Sequence, residues 1–416
     1  MTSFSIQNFG CRVNQAEAFE WASELQERGL RLERDFDRSH VVVVNTCTLT
    51  GRADRDARKF IRRIARHNPK AKVVVTGCLA ERAPAELERI PGVWRVIPNR
   101  EKAGLTGQIL SNVEAAPEAG AQAYRSRALI KVQDGCNMSC SFCIIPRVRG
   151  RSASVPKDVI LGRIRRLAED GFSEIVLTGI HLCSYGRDLK PPSSLLDLLQ
   201  EIEALDGTVK VRLSSLDPRL LPAPLLEHLT ASKKICPHFH LSLQHGSEAV
   251  LRRMGRQSTV AEYRDAISSL RELSPRAGIG ADIIAGFPGE TEEDFEQMVE
   301  FLTGTPLTYF HVFSYSPRPG TEAADWPQVD DKKKKERSAL LRKISRQKNL
   351  AFRSLFLGQE LEAVVIEKED GVADVLTSNY IQIHVPACPA EEGQRVRVKP
   401  DRVTERETLG EIISLS

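Results

Sequence analysis

Three cysteines in one short run, Cys136, Cys140 and Cys143, have the residue type and spacing to hold an iron–sulfur cluster. Their spacing is C-x3-C-x2-C, and three thiolates crowded on one loop suit a cluster better than a disulfide. A fully ligated four-iron cluster needs four ligands, so three protein thiolates leave one iron open. An open iron can hold a substrate or a cofactor, which makes this loop a candidate for catalysis.

Three further cysteines, Cys11, Cys47 and Cys78, each follow a predicted strand. If these strands are parallel, their carboxyl ends share the sheet edge at which open α/β sheets bind ligands. The pattern favours a second three-thiol site over three buried free cysteines, although free cysteines are common in cores. Zinc fits neither set well, because structural zinc sites usually collect four ligands, often in C-x2-C pairs. The other cysteines lack partners at ligand spacing and are interpreted as ordinary thiols: Cys183, Cys236 and Cys388.

The elements that must position the second set are those of a small doubly wound α/β domain. Predicted strands cover Phe4–Phe9, His40–Asn45 and Val73–Gly77, and helical patterns cover Gln15–Arg28 and Asp54–His67. Four consecutive valines within His40–Asn45 indicate a buried parallel strand. Residues 101–125 are poor in large apolar groups, contain the run Ala-Ala-Pro-Glu-Ala-Gly-Ala, and are predicted to be a linker.

A second β/α series follows and predicts a barrel or an incomplete barrel. Its six strand candidates are Ala128–Gln133, Glu174–Thr178, Lys210–Ser214, His238–Gln244, Gly280–Gly286 and Tyr309–Tyr315. Helical patterns lie between them near 156–170, 194–205, 220–231, 247–273 and 290–303. Active sites of such barrels lie at the carboxyl ends of the strands, where the C-x3-C-x2-C loop is expected.

The last part of the chain changes character. A basic helix is predicted from Lys332 to about Arg353, and residues 358–416 alternate as strands do, at Leu361–Ile366, Tyr380–Val385 and Gln394–Lys399. We predict an α/β protein with three domains: 1–125, doubly wound; 126–357, a partial (β/α)6 barrel with the basic helix; and 358–416, a small β-barrel.

Composition sets the broad class. A chain of 416 residues that is 41% hydrophobic and 27% charged is typical of a soluble globular protein with several cores. The start of the chain has no apolar signal core, and no stretch approaches the roughly 20 apolar residues that span a bilayer. We therefore expect a cytoplasmic protein without membrane partners. An odd count of nine cysteines in a reducing compartment favours metal ligation or catalysis over disulfides.

The motifs around the cysteines resemble those of the radical S-adenosylmethionine methylthiotransferases. The segment Asp134–Gly150 resembles the family's radical loop, and Gly-Cys-Arg-Val-Asn-Gln at 10–15, Asn-Thr-Cys at 45–47 and Thr-Gly-Cys at 76–78 resemble its N-terminal cluster domain. Further similarity includes Leu-Thr-Gly-Ile-His at 177–181, Arg-Leu-Ser-Ser at 212–215, and Asp-Ile-Ile-Ala-Gly-Phe-Pro-Gly at 282–289. The C-terminal barrel lies where the family carries its RNA-binding TRAM domain.

The resemblance implies insertion of a methylthio group at adenine C2 of a tRNA nucleoside next to the anticodon, at position 37. A four-iron cluster on Cys136, Cys140 and Cys143 would bind S-adenosylmethionine, whose reductive cleavage gives the radical that abstracts the hydrogen. A second four-iron cluster on Cys11, Cys47 and Cys78 would hold the sulfur, and a second S-adenosylmethionine would methylate it. No catalytic residue beyond these cysteines is assigned. The resemblance also implies an electron donor of the flavodoxin or ferredoxin type and a sulfur donor.

The sequence around the first cysteine favours one branch of the family. Gly-Cys-Arg-Val-Asn-Gln resembles the branch acting on threonylcarbamoyladenosine, whereas Gly-Cys-Gln-Met-Asn is usual for isopentenyladenosine and Gly-Cys-Pro-Lys-Asn for a ribosomal protein. Four positions depart from the family pattern without touching a proposed cluster ligand: Ala16, Cys183, Ser242 and His245. The other two targets remain alternatives, as does a non-catalytic RNA-binding protein with structural metal.

Other cofactor contacts are predicted at the strand ends of the second series. The candidates are Thr178, Gly179, Ser214, Ser215, Gln244, Gly286 and Pro288. Each position could instead serve strand-end packing or a turn, since Pro and Gly are the expected turn residues. The position of Gly286 and Pro288 directly after a strand favours backbone contact with the adenine moiety.

Two basic stretches are predicted to contact RNA phosphates, although a charge run is often only a solvated face. The first is Arg52, Arg55, Arg58, Lys59, Arg62, Arg63 and Arg66, and the second is Lys332–Lys335, Arg337, Arg342, Lys343, Arg346 and Lys348. Behind the cluster loop, Arg147, Arg149 and Arg151 favour RNA further. The predicted C-terminal barrel has 6 Lys and Arg against 12 Asp and Glu, so it either uses a local strip (Arg395, Arg397 and Lys399) or docks mainly on protein.

Overall fold

The computed structural model describes residues 2–114 and 126–415, which form two compact units. The first unit contains residues 2–114, 134–153 and 316–324, and the second contains 126–133, 154–315 and 325–415. Both sets of candidate cluster cysteines therefore belong to the first unit. The predicted domain boundaries at 125 and 357 stay predictions.

The first unit is built on a five-stranded parallel sheet in the order β2-β1-β3-β4-β5. Its strands are β1 (Ser3–Asn8), β2 (Arg31–Leu32), β3 (Val41–Thr46), β4 (Lys72–Gly77) and β5 (Val93–Pro98). Its helices are α1 (Arg12–Glu27), α2 (Gly51–His67), α3 (Cys78–Arg82), α4 (Pro84–Glu88), α5 (Leu105–Leu110) and α6 (Ile145–Arg149). Phe36–Arg38 and Asn99–Gly104 are 3-10 helices.

The four valines of β3 explain why this sheet is covered on both faces. Val41 and Val43 pack in one apolar cluster with Trp21 of α1, whereas Val42 and Val44 pack in another with Ile61 and Ile64 of α2. Successive strand residues point to opposite faces of the sheet. Because helices cover both faces, all four valines are buried. The doubly wound prediction is therefore confirmed.

One boundary prediction for this unit is wrong. Residues 101–110 of the predicted linker are helical, since Leu105 and Ile109 are fully buried against the sheet core. The spacing of these two residues is helical, but the stretch contains too few large apolar groups for the pattern to be seen. The Ala-Ala-Pro-Glu-Ala-Gly-Ala run lies outside the described residues.

The second unit contains the predicted β/α series. Its parallel strands are β6 (Ala128–Asp134), β8 (Glu174–Gly179) and β9 (Lys210–Leu213) in one sheet, and β10 (His238–Gln244), β11 (Gly278–Ala285) and β12 (Tyr309–Ser314) in another. The short β7 (Ala153–Ser154) pairs with β6. Single parallel bridges, Val211 to Ile235 and Leu216 to Leu241, link the two sheets. The six strands thus follow one another as an incomplete barrel, as predicted.

The helices of this unit are α7 (Lys157–Glu169), α8 (Leu195–Glu203), α9 (Ala223–Ala231), α10 (Glu248–Arg253), α11 (Val260–Leu273), α12 (Glu292–Gly304) and α13 (Asp331–Ser354). The single helix predicted near 247–273 is wrong, because the chain breaks it into α10 and α11. Gly255 adopts a φ of 68° after α10, and Thr259 begins α11 with a capping box to Glu262. Both features stop and restart a helix.

The C-terminal segment forms a closed five-stranded barrel in the order β13-β14-β15-β17-β16. The strands are β13 (Leu361–Glu369), β14 (Val372–Thr377), β15 (Gln382–Val385), β16 (Arg395–Val403) and β17 (Thr408–Leu415), of which β14 and β17 were not predicted. Phe352 and Phe356 at the end of α13 join its core. None of the helices in the described ranges is both long enough and apolar enough to cross a membrane.

Candidate iron–sulfur and cofactor sites

Cys11, Cys47 and Cys78 follow three neighbouring strands at the carboxyl edge of the first sheet. Cys11 is the N-cap of α1 after β1, Cys47 follows β3, and Cys78 is the first residue of α3 after β4. Burial, followed by the nearby thiols of Cys11 and Cys78, raises the pKa of Cys47 to about 12. Burial also raises the pKa of Cys11. The three thiols predicted to converge are therefore close enough to influence one another electrostatically.

The donor chemistry fits an iron–sulfur cluster better than a single metal ion. Among residues 2–114 and 126–415, no group of three His, Cys, Asp or Glu side chains is arranged around one ion position. A cubane cluster does not require such convergence, because each thiolate binds a different iron. Cys47 and Cys78 are buried and Cys11 is half-buried. Three such thiols can all ionise only where positive charge compensates them, and cluster iron supplies such charge.

A buried guanidinium lies beside these thiols. The side chain of Arg149 in α6 is 0% exposed, and its Nη1 donates to Glu17 Oε1 at 3.0 Å and to Asp134 Oδ1 at 2.9 Å. Its Nη2 donates to Asn14 Oδ1 at 2.8 Å. Burial alone lowers the pKa of Arg149, but Glu17, Cys78 and Asp134 together raise it well above its ordinary value. Arg149 is thus a permanent cation near Cys11 and Cys78.

The same network fixes the backbone around the first cysteine. The Cys11 thiol donates to Asn14 Oδ1 at 3.3 Å, and Asn14 Nδ2 donates to Asn45 Oδ1 at 2.8 Å. Asn45 Nδ2 returns a bond to the Asn14 carbonyl at 2.9 Å. Cys11, Asn14 and Glu17 lie at intervals of three along α1, so they share one face of the helix. Lys102 also contacts both Glu17 and Asp134.

A second clamp holds the chain after Cys47. Arg318 Nη1 donates to Asp54 Oδ2 at 2.8 Å and to the Thr48 carbonyl at 3.4 Å. Arg82 donates to Thr48 Oγ1 at 2.8 Å and to Asp54 Oδ2 at 2.7 Å. Two arginines from distant parts of the sequence therefore fix the loop that presents Cys47. The contacts of Arg82 and Arg318 were not predicted from the sequence.

The C-x3-C-x2-C loop folds back on its own following residues. The Cys136 N–H donates to the Gly150 carbonyl at 3.1 Å, and the Cys143 N–H donates to the Cys140 carbonyl at 3.0 Å. Gly135 has a φ of 68°, and a Cβ there would lie 2.0 Å from the Arg151 carbonyl oxygen, so no larger residue fits. The three loop cysteines are half-buried, which leaves their thiols accessible to a cluster.

The two cysteine sets meet through apolar packing. Cys78 forms a buried cluster with Ile144 and Val148, which follow the loop. Asn99 Nδ2 donates to the Val148 carbonyl at 2.7 Å and lies 3.6 Å from the Cys78 sulfur. Together with Arg149, these contacts join the loop of one cysteine set to the pocket of the other within one unit.

In the second unit, the predicted cofactor residues lie at the carboxyl ends of consecutive strands. Thr178 and Gly179 end β8, Ser214 and Ser215 follow β9, and Gln244 ends β10 with a φ of 76°. The Gly179 N–H donates to Ser214 Oγ at 3.3 Å. Thr178 Oγ1 is buried without a hydrogen-bond partner among the described residues, which fits a contact with a bound group.

The turn that contains Gly286 and Pro288 is fixed by a buried carboxylate that sequence reasoning missed. Glu290 Oε2 accepts from the N–H groups of Gly286 at 2.8 Å and Phe287 at 3.1 Å, and its Oε1 accepts from Arg337 at 2.6 Å. His245 Nδ1 accepts from the Ser247 N–H, so the proton on Nε2 is directed at Glu290. His245 and Glu290 are both 0% exposed.

Several residues predicted to contact RNA have internal partners. Arg149, Arg337 and Lys334 are buried, and Lys348 caps the carbonyls of Thr303 and Thr305. The predictions for Arg149, Arg337 and Lys334 are wrong because their side chains are buried, and the ammonium group of Lys348 is bound to two carbonyl groups. The C-terminal strip is paired as well: Arg395 with Thr208 and Glu362, Arg397 with Glu360, and Lys399 with Glu411.

Comparison with known proteins agrees with this arrangement. Residues 130–302 match the radical SAM superfamily, and residues 3–97 match the uncharacterized protein family UPF0004. A radical S-adenosylmethionine methyltransferase from Kitasatospora setae, TsrM, solved with cobalamin and a [4Fe-4S] cluster, gives a TM-score of 0.58 at 16% identity over 78% of this chain and 77% of that one. At this identity the likeness shows a shared fold.

Curated relatives match nearly the whole chain. The threonylcarbamoyladenosine tRNA methylthiotransferase of Aquifex aeolicus is 37% identical, over 95% of this chain and 99% of the relative. The Bacillus subtilis protein of the same name is 34% identical over 98% and 100%. A tRNA-2-methylthio-N(6)-dimethylallyladenosine synthase of Pelotomaculum thermopropionicum is 31% identical over 89% and 88%. The chain therefore belongs to the radical S-adenosylmethionine methylthiotransferase family and groups with its threonylcarbamoyladenosine branch.

Proposed function

We propose that this protein converts N6-threonylcarbamoyladenosine at tRNA position 37 to its 2-methylthio derivative. The observation that carries the proposal is the meeting of two three-cysteine sets in one unit, where Cys78 packs against the residues that follow the C-x3-C-x2-C loop. The relatives that share almost the full length of the chain bear the name of this activity. The dimethylallyladenosine relative is less similar, which favours threonylcarbamoyladenosine as the target.

The cofactors are two [4Fe-4S] clusters and S-adenosylmethionine, as in the family to which the chain belongs. We assign one cluster to Cys136, Cys140 and Cys143 and the other to Cys11, Cys47 and Cys78. When bound, these groups supply radical hydrogen abstraction and the sulfur, which no side chain provides. Two thiol sets of three leave an open coordination position at each cluster, one for the cofactor and one for sulfur.

The protein's own residues orient these groups. Asn14 and Arg149 fix Cys11, Thr48 and its two arginine partners fix the loop of Cys47, and the doubled-back loop presents Cys136. Thr178 offers an unsatisfied hydroxyl at the end of β8, and Glu290 holds the N–H groups of the turn at Gly286. We also propose a flavodoxin- or ferredoxin-type reductant, a sulfur donor, and a cytoplasmic location, where the tRNA substrate is found.

Nucleoside mass spectrometry tests the target. Cells without the protein should lack 2-methylthio-threonylcarbamoyladenosine and accumulate its precursor, and the wild-type gene should restore the product. An unchanged level of that nucleoside, with loss of the isopentenyladenosine or ribosomal protein modification instead, would contradict the proposal.

The division of labour between the clusters is tested by alanine variants. Cys140→Ala should abolish S-adenosylmethionine cleavage, whereas Cys47→Ala should retain cleavage and lose thiomethylation. Cys388→Ala, a buried thiol in the C-terminal barrel core, is the matched control and should keep both. Anaerobically purified protein should contain about eight irons per chain. A zinc-loaded, iron-free protein would support the non-catalytic alternative.

A further inference from the structure

The exposed face of α2 carries a dense row of cations. Arg55, Lys59, Arg62 and Arg66 are spaced four, three and four residues apart, which places them on one side of the helix. All four are exposed, and no carboxylate within the described ranges pairs with any of them. We call these four residues the α2 cationic face.

The charges around this face are not balanced by anions. Asp54 is buried and bound by Arg82 and Arg318, so it does not neutralise the surface. The exposed Asp56 makes only a 3.5 Å pair with Arg52, at the edge of the face. A row of unpaired cations on one helix is the electrostatic footprint of a phosphate backbone.

Helix α13 contains the other basic stretch, but many of its cations are buried or bound to other groups of the protein. Lys334 and Arg337 are buried, Lys333 pairs with Glu292, and Arg342 and Lys348 donate to backbone carbonyls. More than half of the basic residues named for this helix therefore hold the second unit together. The remaining exposed cations share their surface with Glu336.

The α2 cationic face begins next to a candidate cluster site. Only three residues separate Cys47 from Gly51, the first residue of α2, and the Thr50 hydroxyl caps the helix by accepting from the Ala53 N–H. The helix has 17 residues and is about 25 Å long. RNA whose modified base reached the cysteines would thus have room to lay several phosphates along α2.

A groove beside the helix adds a second feature that suits RNA. It is lined by Phe9 and Phe60, whose ring centroids are 5.4 Å apart, by the cations Lys59, Arg63 and Arg66, and by the carboxylate of Asp56. An aromatic floor with a cationic rim fits a nucleoside flanked by phosphates. Phe9 lies two residues before Cys11, so the Phe9 end of the groove is near the same sheet edge.

We infer that the α2 cationic face is the surface that binds the phosphates of the anticodon stem of the tRNA, and that α13 is not. The inference rests on the proposed function, because it takes tRNA as the substrate. It assigns the α2 helix a positioning role: phosphate contacts set the register of the RNA without reading its sequence.

The test compares two triple variants of the full-length, cluster-loaded protein. The first is Arg55→Gln, Lys59→Gln and Arg62→Gln on α2, and the matched control is Lys335→Gln, Lys343→Gln and Arg346→Gln on α13. Both remove three exposed positive charges. The measurements are the Kd for threonylcarbamoyladenosine-containing tRNA between 50 and 200 mM salt (an approximately fourfold range) and the thermal midpoint of each variant.

We expect the α2 variant to bind tRNA more weakly and to lower the slope of log K against log salt by about 2 to 3. Its thermal midpoint, iron content and cleavage of S-adenosylmethionine without tRNA should equal those of the wild type. The α13 variant should keep the wild-type slope. Equal slopes for wild type and α2 variant, or an equal loss in the α13 variant, would overturn the inference.

The outcome also separates RNA from a protein partner. If the α2 variant kept its tRNA slope but was reduced more slowly by an acidic flavodoxin-type protein, the surface would belong to the electron donor and the inference would be wrong. If the wild-type protein bound tRNA but formed no methylthio product, the proposed function would fail independently of this result.

Discussion

Arg149 was predicted to contact RNA, but in the structure it is a buried cation. Its neighbours in sequence, Arg147 and Arg151, are exposed, and all three were predicted to face RNA. Instead, its side chain is fully buried between Glu17, Asp134 and Asn14, close to two of the candidate cluster thiols. A guanidinium can make several bonds in one plane, whereas a lysine ammonium cannot reproduce this fork.

The first prediction concerns this buried cation. Arg149→Met should leave Glu17 and Asp134 with Lys102 as their remaining cationic partner, so we expect a loss in the free energy of unfolding at the lower end of the range of about 3–5 kcal/mol for a broken buried pair. The same change removes positive charge beside Cys11 and Cys78, so iron content should fall towards half. Arg149→Lys should recover part of both losses. Anaerobic denaturant titration and iron analysis measure these effects.

Arg147→Met is the control for that prediction, since its side chain is exposed and lies two residues away on the same short helix. It should keep wild-type iron content and stability. Full iron occupancy in Arg149→Met would mean that the buried cation does not support the cluster.

At the scale of elements, the turn after β11 is fixed by contacts with the segment after β10, the segment before α12, and helix α13. Glu290, before α12, receives bonds from the turn itself, from His245 after β10 and from Arg337 of α13. Gly286 has a φ of 71°, and a Cβ there would lie 2.4 Å from Lys334 Cγ. Helix α13 therefore braces the turn proposed to contact the adenine moiety.

The second prediction follows from this brace. Glu290→Gln removes a buried negative charge that accepts two backbone N–H bonds and an arginine bond, so the turn should lose its fixed geometry. We expect S-adenosylmethionine to bind about tenfold more weakly, corresponding to about 1.4 kcal/mol. Equilibrium binding to the cluster-loaded protein measures this. Glu293→Gln, an exposed residue of the same region, should bind normally; an equal loss there would assign the effect to surface charge.

The strands were largely predictable because their chemistry is local. Runs such as the four valines of β3 and the alternation of β10 and β16 carry their burial pattern in consecutive residues. The carboxyl-edge placement of Cys11, Cys47 and Cys78 followed from strand order alone. Strands β14 and β17 were missed because their apolar runs are short and weakly alternating.

The networks that support the sites were not predictable, because their partners are far apart in sequence. Glu17 and Arg149 are 132 positions apart, and Thr48 and Arg318 are 270 apart. No local pattern distinguishes a buried arginine of this kind from an RNA-binding one. Only the spacing of Cys11, Asn14 and Glu17 on one helix face offered a signal, and a polar stripe beside a cysteine is weak by itself.

At the scale of the whole molecule, the C-terminal barrel is packed on the amino ends of the strands in the second unit. The rings of Tyr380 and His238 stack with their centroids 3.9 Å apart. Arg212 donates to the carbonyls of Ser378 at 3.0 Å and Thr377 at 3.2 Å. The predicted cofactor residues lie at the opposite, carboxyl ends. The acidic barrel thus docks on protein through this side.

The third prediction tests that docking. A Cβ at Gly278, the first residue of β11, would lie 2.3 Å from the Asn379 carbonyl oxygen of the barrel. Gly278→Ala should therefore loosen the contact and make the barrel more sensitive to limited proteolysis. Gly162→Ala in α7, where nothing lies within 4 Å of the new Cβ, is the same substitution and should stabilise the protein by up to about 1 kcal/mol. Equal proteolysis of both variants would refute the docking role.

The last prediction concerns the acid stability of the contact between the C-terminal barrel and the strands on which it packs. Glu174 accepts from Arg212 at 2.8 Å and Arg127 at 3.0 Å; burial raises its pKa, but the two arginines lower it to a final value of about 2, below the ordinary 4.5. A lowered pKa stabilises the fold fully above pH 4.5, and that stability is lost as the pH falls towards 2. The shift corresponds to about 3 kcal/mol.

The Glu174→Gln variant should lose a similar amount of unfolding free energy at neutral pH. Its unfolding free energy should also decline less than the wild-type value between pH 5 and pH 3 (approximate bounds of the acid transition). Parallel decline of the two proteins in denaturant titrations across that range would show that the pair does not stabilise the docked barrel.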